Sequence, residues 1–256
     1  MSPAVVCMVS QVTFASLYSN GTIFNMPKPT LLMIRPLVQA LEFVQALNES
    51  TGKTPNTLYS PVIKTQAIIA KPPEKVQFLL FSSVNGVKFF ATQTENRKIP
   101  ALCVGDMTAK AAKDAGFSAQ SAGGTASDLL KLVKSVADPA NGPLTYVCGA
   151  LVAHDLDGHL AKIGFSTNRC TVYEQTSTPL TKQAFSALQT PTVVPVSSPN
   201  MAQVFAEQTT RMELSNVILV FISENACAPL SHKKATQILA TAPTRNAMIH
   251  AVSQFL

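Results

Sequence analysis

Short runs of apolar residues alternate along this chain with segments in which apolar positions return every third or fourth residue. The first pattern is that of buried strands and the second that of helices with one covered face. Strands are predicted over residues 31–34, 58–63, 76–81, 99–104, 143–148, 193–196, 217–222 and 238–240. A short strand follows Gly116-Phe117, and a further run leads from Cys170 through Val172 to Tyr173. Between them the spacing predicts a helix with Leu37, Ala40, Leu41, Val44 and Leu47 on one face. Further helices are expected over 85–93, 108–115, 129–136, 155–162, 179–188, 201–208 and 244–255, with a short or kinked one over 225–231 around Pro229. Residues 66–70 read as a small helix or loop before Pro72-Pro73. Strands alternating with helices predict the α/β class with parallel sheets.

One phrase occurs twice. Phe78-Leu79-Leu80-Phe81-Ser82-Ser83-Val84-Asn85 is an apolar run ending in Ser-Ser-x-Asn, and Val193-Val194-Pro195-Val196-Ser197-Ser198-Pro199-Asn200 repeats it. Each is followed by a helix, a second apolar run and a second polar turn, Asp106-Met107-Thr108 in one case and Glu224-Asn225 in the other. Ser-Ser after an apolar run is common, so the weight rests on the shared order of elements. That order predicts two similar three-layer, flavodoxin-like lobes. The middle of the chain, 64–177, holds a complete lobe. The C-terminal part lacks a strand and helix that residues 30–63 supply, so the other lobe is expected to be discontinuous, 30–63 plus 178–256. Two crossings near Ile63 and Thr178 form a two-stranded hinge, and ligand is expected in a cleft between the lobes.

Composition narrows the function. The chain has 256 residues, 46% hydrophobic and only 13% charged, with no Trp, which supports a large aliphatic core. The net charge of +6 is spread without a basic run, which argues against a nucleic-acid surface and is compatible with steering a small anion. The five cysteines show no C-x-x-C spacing. Cys103 and Cys148 fall in apolar runs and read as small buried hydrophobes, a pattern that fits a reducing cytoplasm. No stretch is long enough to span a membrane. Residues 1–29 are read as a disordered extension, with the fold starting near Thr30 and a short targeting segment as the alternative; the first 25 positions carry no Lys or Arg, which argues against a secretory signal.

Nucleotide-binding glycine motifs and nucleophile elbows are absent from the sequence. His154 and His159, five apart, lie about 140° apart on a helix and do not share a ligand, so surface or capping roles are expected. The polar turns carry more. Ser82, Ser83, Asn85, Thr108, Ser197, Ser198, Asn200 and Asn225 stand where strands give way to helices. There they cap helices, and the free first-turn amides can bind carboxylates or phosphates. Tyr173, at the second crossing, can donate a proton or hydrogen bond to a leaving hydroxyl.

Met33-Ile34-Arg35-Pro36, Phe81-Ser82-Ser83-Val84-Asn85-Gly86-Val87, Val104-Gly105-Asp106-Met107-Thr108-Ala109, Cys148-Gly149, Thr171-Val172-Tyr173-Glu174-Gln175-Thr176, Ser197-Ser198-Pro199-Asn200 and Ala242-Pro243-Thr244 resemble, in order and spacing, the uroporphyrinogen-III synthase family. The resemblance covers residues 30–256. It implies a lyase of haem biosynthesis that uses no cofactor or metal. Its substrate is hydroxymethylbilane, a linear tetrapyrrole with eight carboxylates, closed with inversion of ring D and loss of water. It implies Tyr173 as the residue at the leaving hydroxyl, and Arg35, Ser83, Thr108, Gly149 and Ser198 among the substrate contacts. A cytoplasmic monomer is expected, without nucleic-acid or membrane partners and with at most transient contact with the preceding enzyme. Two departures stand out: Ser223-Glu224-Asn225-Ala226 replaces a Gly-x-Thr-Thr turn, and Asn85 stands where some members have Arg. The rival readings are a two-lobed anion-binding protein, an inactive relative of the synthases and a regulatory α/β module.

Overall fold

The computed structural model describes residues 28–152 and 155–256. The expected N-terminal extension, with Cys7, and the expected role of His154 therefore lie outside the described residues. The chain runs β1 (Thr30–Met33), α1 (Leu37–Thr51), β2 (Thr57–Tyr59), β3 (Ile63–Ala67), β4 (Leu79–Phe81), α2 (Val84–Ala91), β5 (Ala101–Cys103) and α3 (Asp106–Asp114). It continues β6 (Ala119–Ser121), α4 (Ala126–Val136), β7 (Leu144–Gly149), α5 (Leu156–Ala161), β8 (Thr167–Ser177) and α6 (Lys182–Ala187). It closes with β9 (Thr192–Val196), α7 (Pro199–Gln208), β10 (Val217–Phe221), α8 (Glu224–Cys227), β11 (Thr236–Leu239) and α9 (Arg245–Ser253). A single 3₁₀ turn, Ala228–Leu230, follows α8 because Pro229 cannot continue the α-helical ladder.

The described chain divides into two compact units. Unit 1 comprises residues 28–64 and Ser177–Leu256, and unit 2 is Thr65–Thr176. Unit 1 carries a sheet in the order β11-β10-β9-β1-β2, with every described pairing parallel. Unit 2 is built on β8-β7-β4-β5-β6, also parallel, and β3 lies beside β8 at the sheet edge. The α/β class with parallel sheets read from the sequence is the class the chain adopts.

The two sheets share one spatial plan. Read from one edge, β2-β1-β9-β10-β11 matches β8-β7-β4-β5-β6 strand for strand. The chain order differs by a circular permutation. Unit 1 makes its outer pair first and the central strand β9 later, whereas unit 2 starts at its central strand β4 and ends on the outer pair. The two Ser-Ser phrases end the two central strands. Each sheet is covered on both faces, by separate aliphatic cores, as parallel sheets require.

Three local readings are corrected. In α1 the covered face is Ala40, Phe43, Val44 and Leu47, while Leu37 and Leu41 are half exposed. At 100° per residue the two leucines lie roughly 70° and 110° from the centre of that face. Residues 66–70 are not helical, since β3 extends through Ala67 and Ile68 N–H donates to Val172 O at 2.9 Å. Pairing with a neighbouring strand settled what local propensity left open. The run near Cys170 is part of an eleven-residue strand.

Candidate functional site

The carboxyl edge of the unit 2 sheet is made by chain segments that leave strands and enter helices. Ser83 ends β4 in extended conformation and caps α2, its Oγ accepting from Gly86 N–H at 3.0 Å. Thr125 caps α4 by accepting from Asp128 N–H at 3.1 Å. Gly124 reaches that cap with φ +134°, where a Cβ would be strained, and its N–H donates to Val104 O at the end of β5. The first-turn amides of α2 and α4 are thereby directed to one end of the sheet, where helices leave N–H groups without intrahelical partners.

A cavity of about 880 Å³ opens at this edge. Ser82 and Ser83 after β4, Cys148 and Gly149 at the end of β7, Gly124–Ser127 at the start of α4, and Tyr146, His159 and Tyr173 contribute to its wall. β4 and β7 are the adjacent strands from which the chain departs in opposite directions, the switch point where α/β sheets leave a crevice.

Two serine–tyrosine pairs define the chemistry. Ser83 Oγ and Tyr173 Oη share a hydrogen bond at 3.2 Å, and Ser82 Oγ and Tyr146 Oη share one at 2.9 Å. Tyr173 reaches this position through a bulge. Cys148 stands opposite Thr171, but Gly149 stands opposite Tyr173, so Val172 is the extra residue. Val172 and Tyr173, neighbours in sequence, therefore pack on the same core, where strict alternation would put them on opposite faces. Phe89 stacks on the Tyr173 ring at 5.7 Å. The ring position also needs Gly149: a Cβ there would lie 2.6 Å from Tyr173 Cζ and 3.0 Å from its Oη. Burial raises the Tyr146 phenol above its ordinary range, with the Ser82 hydrogen bond opposing, and burial also raises the Cys148 thiol. Both groups stay protonated at neutral pH.

The structure thus brings Ser82, Ser83, Gly149 and Tyr173 around one cavity. Asn85, in the first turn of α2, and Thr108, buried in α3, are not part of its wall. The sequence reading missed Tyr146, His159 and the Gly124–Ser127 turn as cavity residues. A tyrosine inside the apolar run 144–148 needs a partner for its hydroxyl when buried, which is the signal that was available for Tyr146.

The remaining candidates lie in unit 1. Arg35 follows β1, and Ser197 and Ser198 follow the adjacent β9, again at a switch point. Ser198 caps α7 by accepting from Met201 N–H at 3.2 Å, and Asn200 lies in that first turn. Asn225 and Glu224 are exposed at the start of α8, whose cap is Ser223. Arg35 is 9% exposed, lies over the Phe43 ring at 4.8 Å and leaves Nε without a partner. Burial, then the charge of Arg245, lower its pKa to about 10, with Glu42 opposing.

A family model described as uroporphyrinogen-III synthase HemD matches residues 44–250. The chain belongs to the uroporphyrinogen-III synthase family. Uroporphyrinogen-III synthetase from Helicobacter pylori 26695 is 17% identical and superposes with a TM-score of 0.63 over 90% of this chain and 100% of its own. A mutant uroporphyrinogen III synthase from the extremely thermophilic bacterium Thermus thermophilus, also 17% identical, superposes at 0.56 over 88% and 98%. At that identity the two structures show the shared fold. A search of curated protein sequences finds no match.

Uroporphyrinogen-III synthases are lyases of haem biosynthesis, and membership implies hydroxymethylbilane as substrate. Among the described residues no three His, Cys, Asp or Glu side chains are grouped to hold a metal ion, and no helix is long and apolar enough to cross a membrane. The departures at Glu224 and Asn85 fall on the surface of α8 and outside the cavity wall, respectively.

Proposed function

We propose that this chain closes hydroxymethylbilane to uroporphyrinogen III, with inversion of ring D and loss of water, and that the unit 2 cavity receives the reacting end. The observation that carries this reading is the ordered chain Gly86 N–H, Ser83 hydroxyl, Tyr173 hydroxyl at the switch-point cavity. Ser83 Oγ accepts from Gly86, so its own proton is free to be donated to Tyr173 Oη. That polarity leaves the Tyr173 proton for the substrate. Each bond polarises the next in the same sense, starting from the positive end of α2.

The step follows from this arrangement. Tyr173 donates to the hydroxyl on ring A as its carbon–oxygen bond breaks, and water leaves to give an azafulvenium. Ring D attacks through its substituted carbon to give a spiro intermediate, which fragments and recloses with ring D turned over. The pyrroles supply the electrons, so the protein contributes chiefly placement of the two ends and help to the leaving group. Neutral donors suit the site: hydroxyls and helix amides can hold propionate and acetate carboxylates without competing for the leaving-group proton. Arg35, Ser197, Ser198, Asn200 and Asn225, with Asn85 and Thr108, are proposed as further carboxylate contacts. The reading calls for no cofactor or metal and describes a cytoplasmic monomer supplied by the preceding enzyme of the pathway.

The test supplies hydroxymethylbilane to the full chain, oxidises the products and resolves type I from type III uroporphyrin by chromatography. Type III in excess of the enzyme-free control is expected. Type I alone above that control overturns the proposal and favours a binding protein or an inactive relative.

A further inference from the structure

The described residues in the cavity wall include serines, a threonine, two phenols and a thiol, but no Lys or Arg. Hydroxyls and amides can hold carboxylates but do not neutralise them, which directs attention to His159, the one described side chain in that wall able to carry a positive charge. His159 is exposed, and its ring is not free to turn at random. Its Nδ1 lies 2.6 Å from Asp155 O, the carbonyl that also accepts the His159 backbone N–H at 3.1 Å. A carbonyl can only accept, so Nδ1 carries hydrogen and Nε2 is the nitrogen left for a ligand. As the imidazolium, Nε2–H makes a charge-assisted hydrogen bond to a carboxylate.

The neighbouring acids do not take that role from a ligand. Asp157 is paired with Arg169 at 2.6 Å, and Asp155 Oδ1 lies 3.9 Å from the same guanidinium while accepting from Gly158 N–H. Their charges are met locally, and neither carboxylate lines the cavity.

We propose that His159 is the cationic anchor of the unit 2 cavity, gripping one substrate carboxylate through Nε2 and so setting which end of the tetrapyrrole lies beside Tyr173. The proposal rests on the cyclase reading above. Its role is affinity and placement, distinct from the leaving-group step.

The experiment compares full-length wild type with His159→Ala, His159→Glu and His159→Arg in two arms. The first measures kcat, KM and the type III to type I ratio with hydroxymethylbilane. The second titrates each protein with uroporphyrin III, an octacarboxylate whose fluorescence reports binding without turnover. His159→Ala is expected to raise KM and the uroporphyrin Kd about 5- to 10-fold, with kcat within about 2-fold, for loss of one charged hydrogen bond at an open site. His159→Glu weakens both further, and His159→Arg restores them towards wild type. The weakening should shrink at high salt, because the lost interaction is ionic. Unchanged KM and Kd in both Ala and Glu variants overturn the anchor, as does a fall in kcat without a change in KM. A wild type that yields only type I product while His159→Glu still weakens uroporphyrin binding would sink the cyclase reading and keep the anchor, so the two failures are distinguishable.

Discussion

Units 1 and 2 place the same strands side by side and end their central strands with the same Ser-Ser phrase, yet the two ends differ in chemistry. Ser83 and Ser198 do the same structural work, each capping the following helix. Only Ser83 also meets a phenol. The difference comes from the two strands on one side of them, β8 bringing Tyr173 to Ser83 and β7 bringing Tyr146 to Ser82. Tyr146 on β7 stands opposite Leu80, two residues before Ser82. Extending the β1–β9 register by two residues puts Met33 opposite Pro195, two residues before Ser197. Two residues on, the position of Cys148 in unit 2 is that of Arg35 in unit 1. A shared frame thus ends in hydroxyls and a glycine gap in one unit and in a buried guanidinium in the other. The frame supplies helix amides to both, and the flanking strands decide what is done with them.

The comparison can be broken most severely at Gly149. Gly149→Ala places a methyl inside the Tyr173 ring position, so the ring must move. We expect kcat/KM to fall by about 10³-fold, from lost placement together with lost proton donation, and stability by about 1–3 kcal/mol. A variant with full activity would show that the close approach of Tyr173 is incidental. Tyr173→Phe keeps the ring on Phe89 and removes only the hydroxyl. Turnover should drop by about 10²-fold, the low end for a positioned acid, without vanishing. Complete loss in a folded protein would point to a single essential acid and against assistance to an already reactive pyrrole.

The matched pair Ser83→Ala and Ser198→Ala sharpens the comparison directly. Each should lose about 1 kcal/mol of stability as an N-cap. Ser83→Ala should also lower kcat about 10-fold, the worth of one hydrogen bond of roughly 1.4 kcal/mol, while Ser198→Ala leaves kcat within about 2-fold. Equal kinetic effects would erase the distinction drawn between the units. Arg35→Met tests the corresponding end of unit 1. Removing a buried cation with an unpartnered Nε, at the cost of its contact with Phe43, should leave stability unchanged or raise it by about 1 kcal/mol, about 2–4 °C in Tm. A severalfold rise in KM beside that gain would mark Arg35 as held for substrate; an unchanged KM would remove it from the proposed contacts.

The smallest effect is alkaline. Burial pushes the Cys103 thiol of unit 2 up to about 11, and raises Tyr146 as well. The unfolded thiol releases its proton first, so that stability is complete below about pH 9 and is lost as pH rises towards 11. Arg35 in unit 1 adds no matching loss, since burial moves its pKa down and a guanidinium holds its proton through this range. Pulse proteolysis under reducing conditions at pH 8 and pH 10.5, with the fragments mapped by mass spectrometry, should show unit 2 opening earlier at the higher pH. Earlier opening of unit 1 would contradict the signs assigned to these groups.

Much of this architecture was legible in the order of apolar runs, because a strand buried on both faces has to be written as a continuous hydrophobic stretch. The helix starts were equally legible, since Ser and Thr at those positions satisfy amides that nothing else in the helix can reach. Leu37 and Leu41 misled because a 3.6-residue spacing names a set of faces, and the packing of α1 chose one centred on Phe43. Residues 66–70 misled because an edge strand is held by its neighbour more than by its own composition.

By itself, then, the sequence determined the α/β class, the repeat at the two central strands and the candidate role of Tyr173, all of which rest on local periodicity or a short motif. Only the tertiary structure decided that Tyr146, His159 and the start of α4 share a cavity with Ser82 and Ser83, and that Gly149 opens the space Tyr173 fills. The reason is geometric. Side chains from five separate segments converge through strand register, a one-residue bulge and a missing Cβ, and none of these leaves a period or a spacing along the chain.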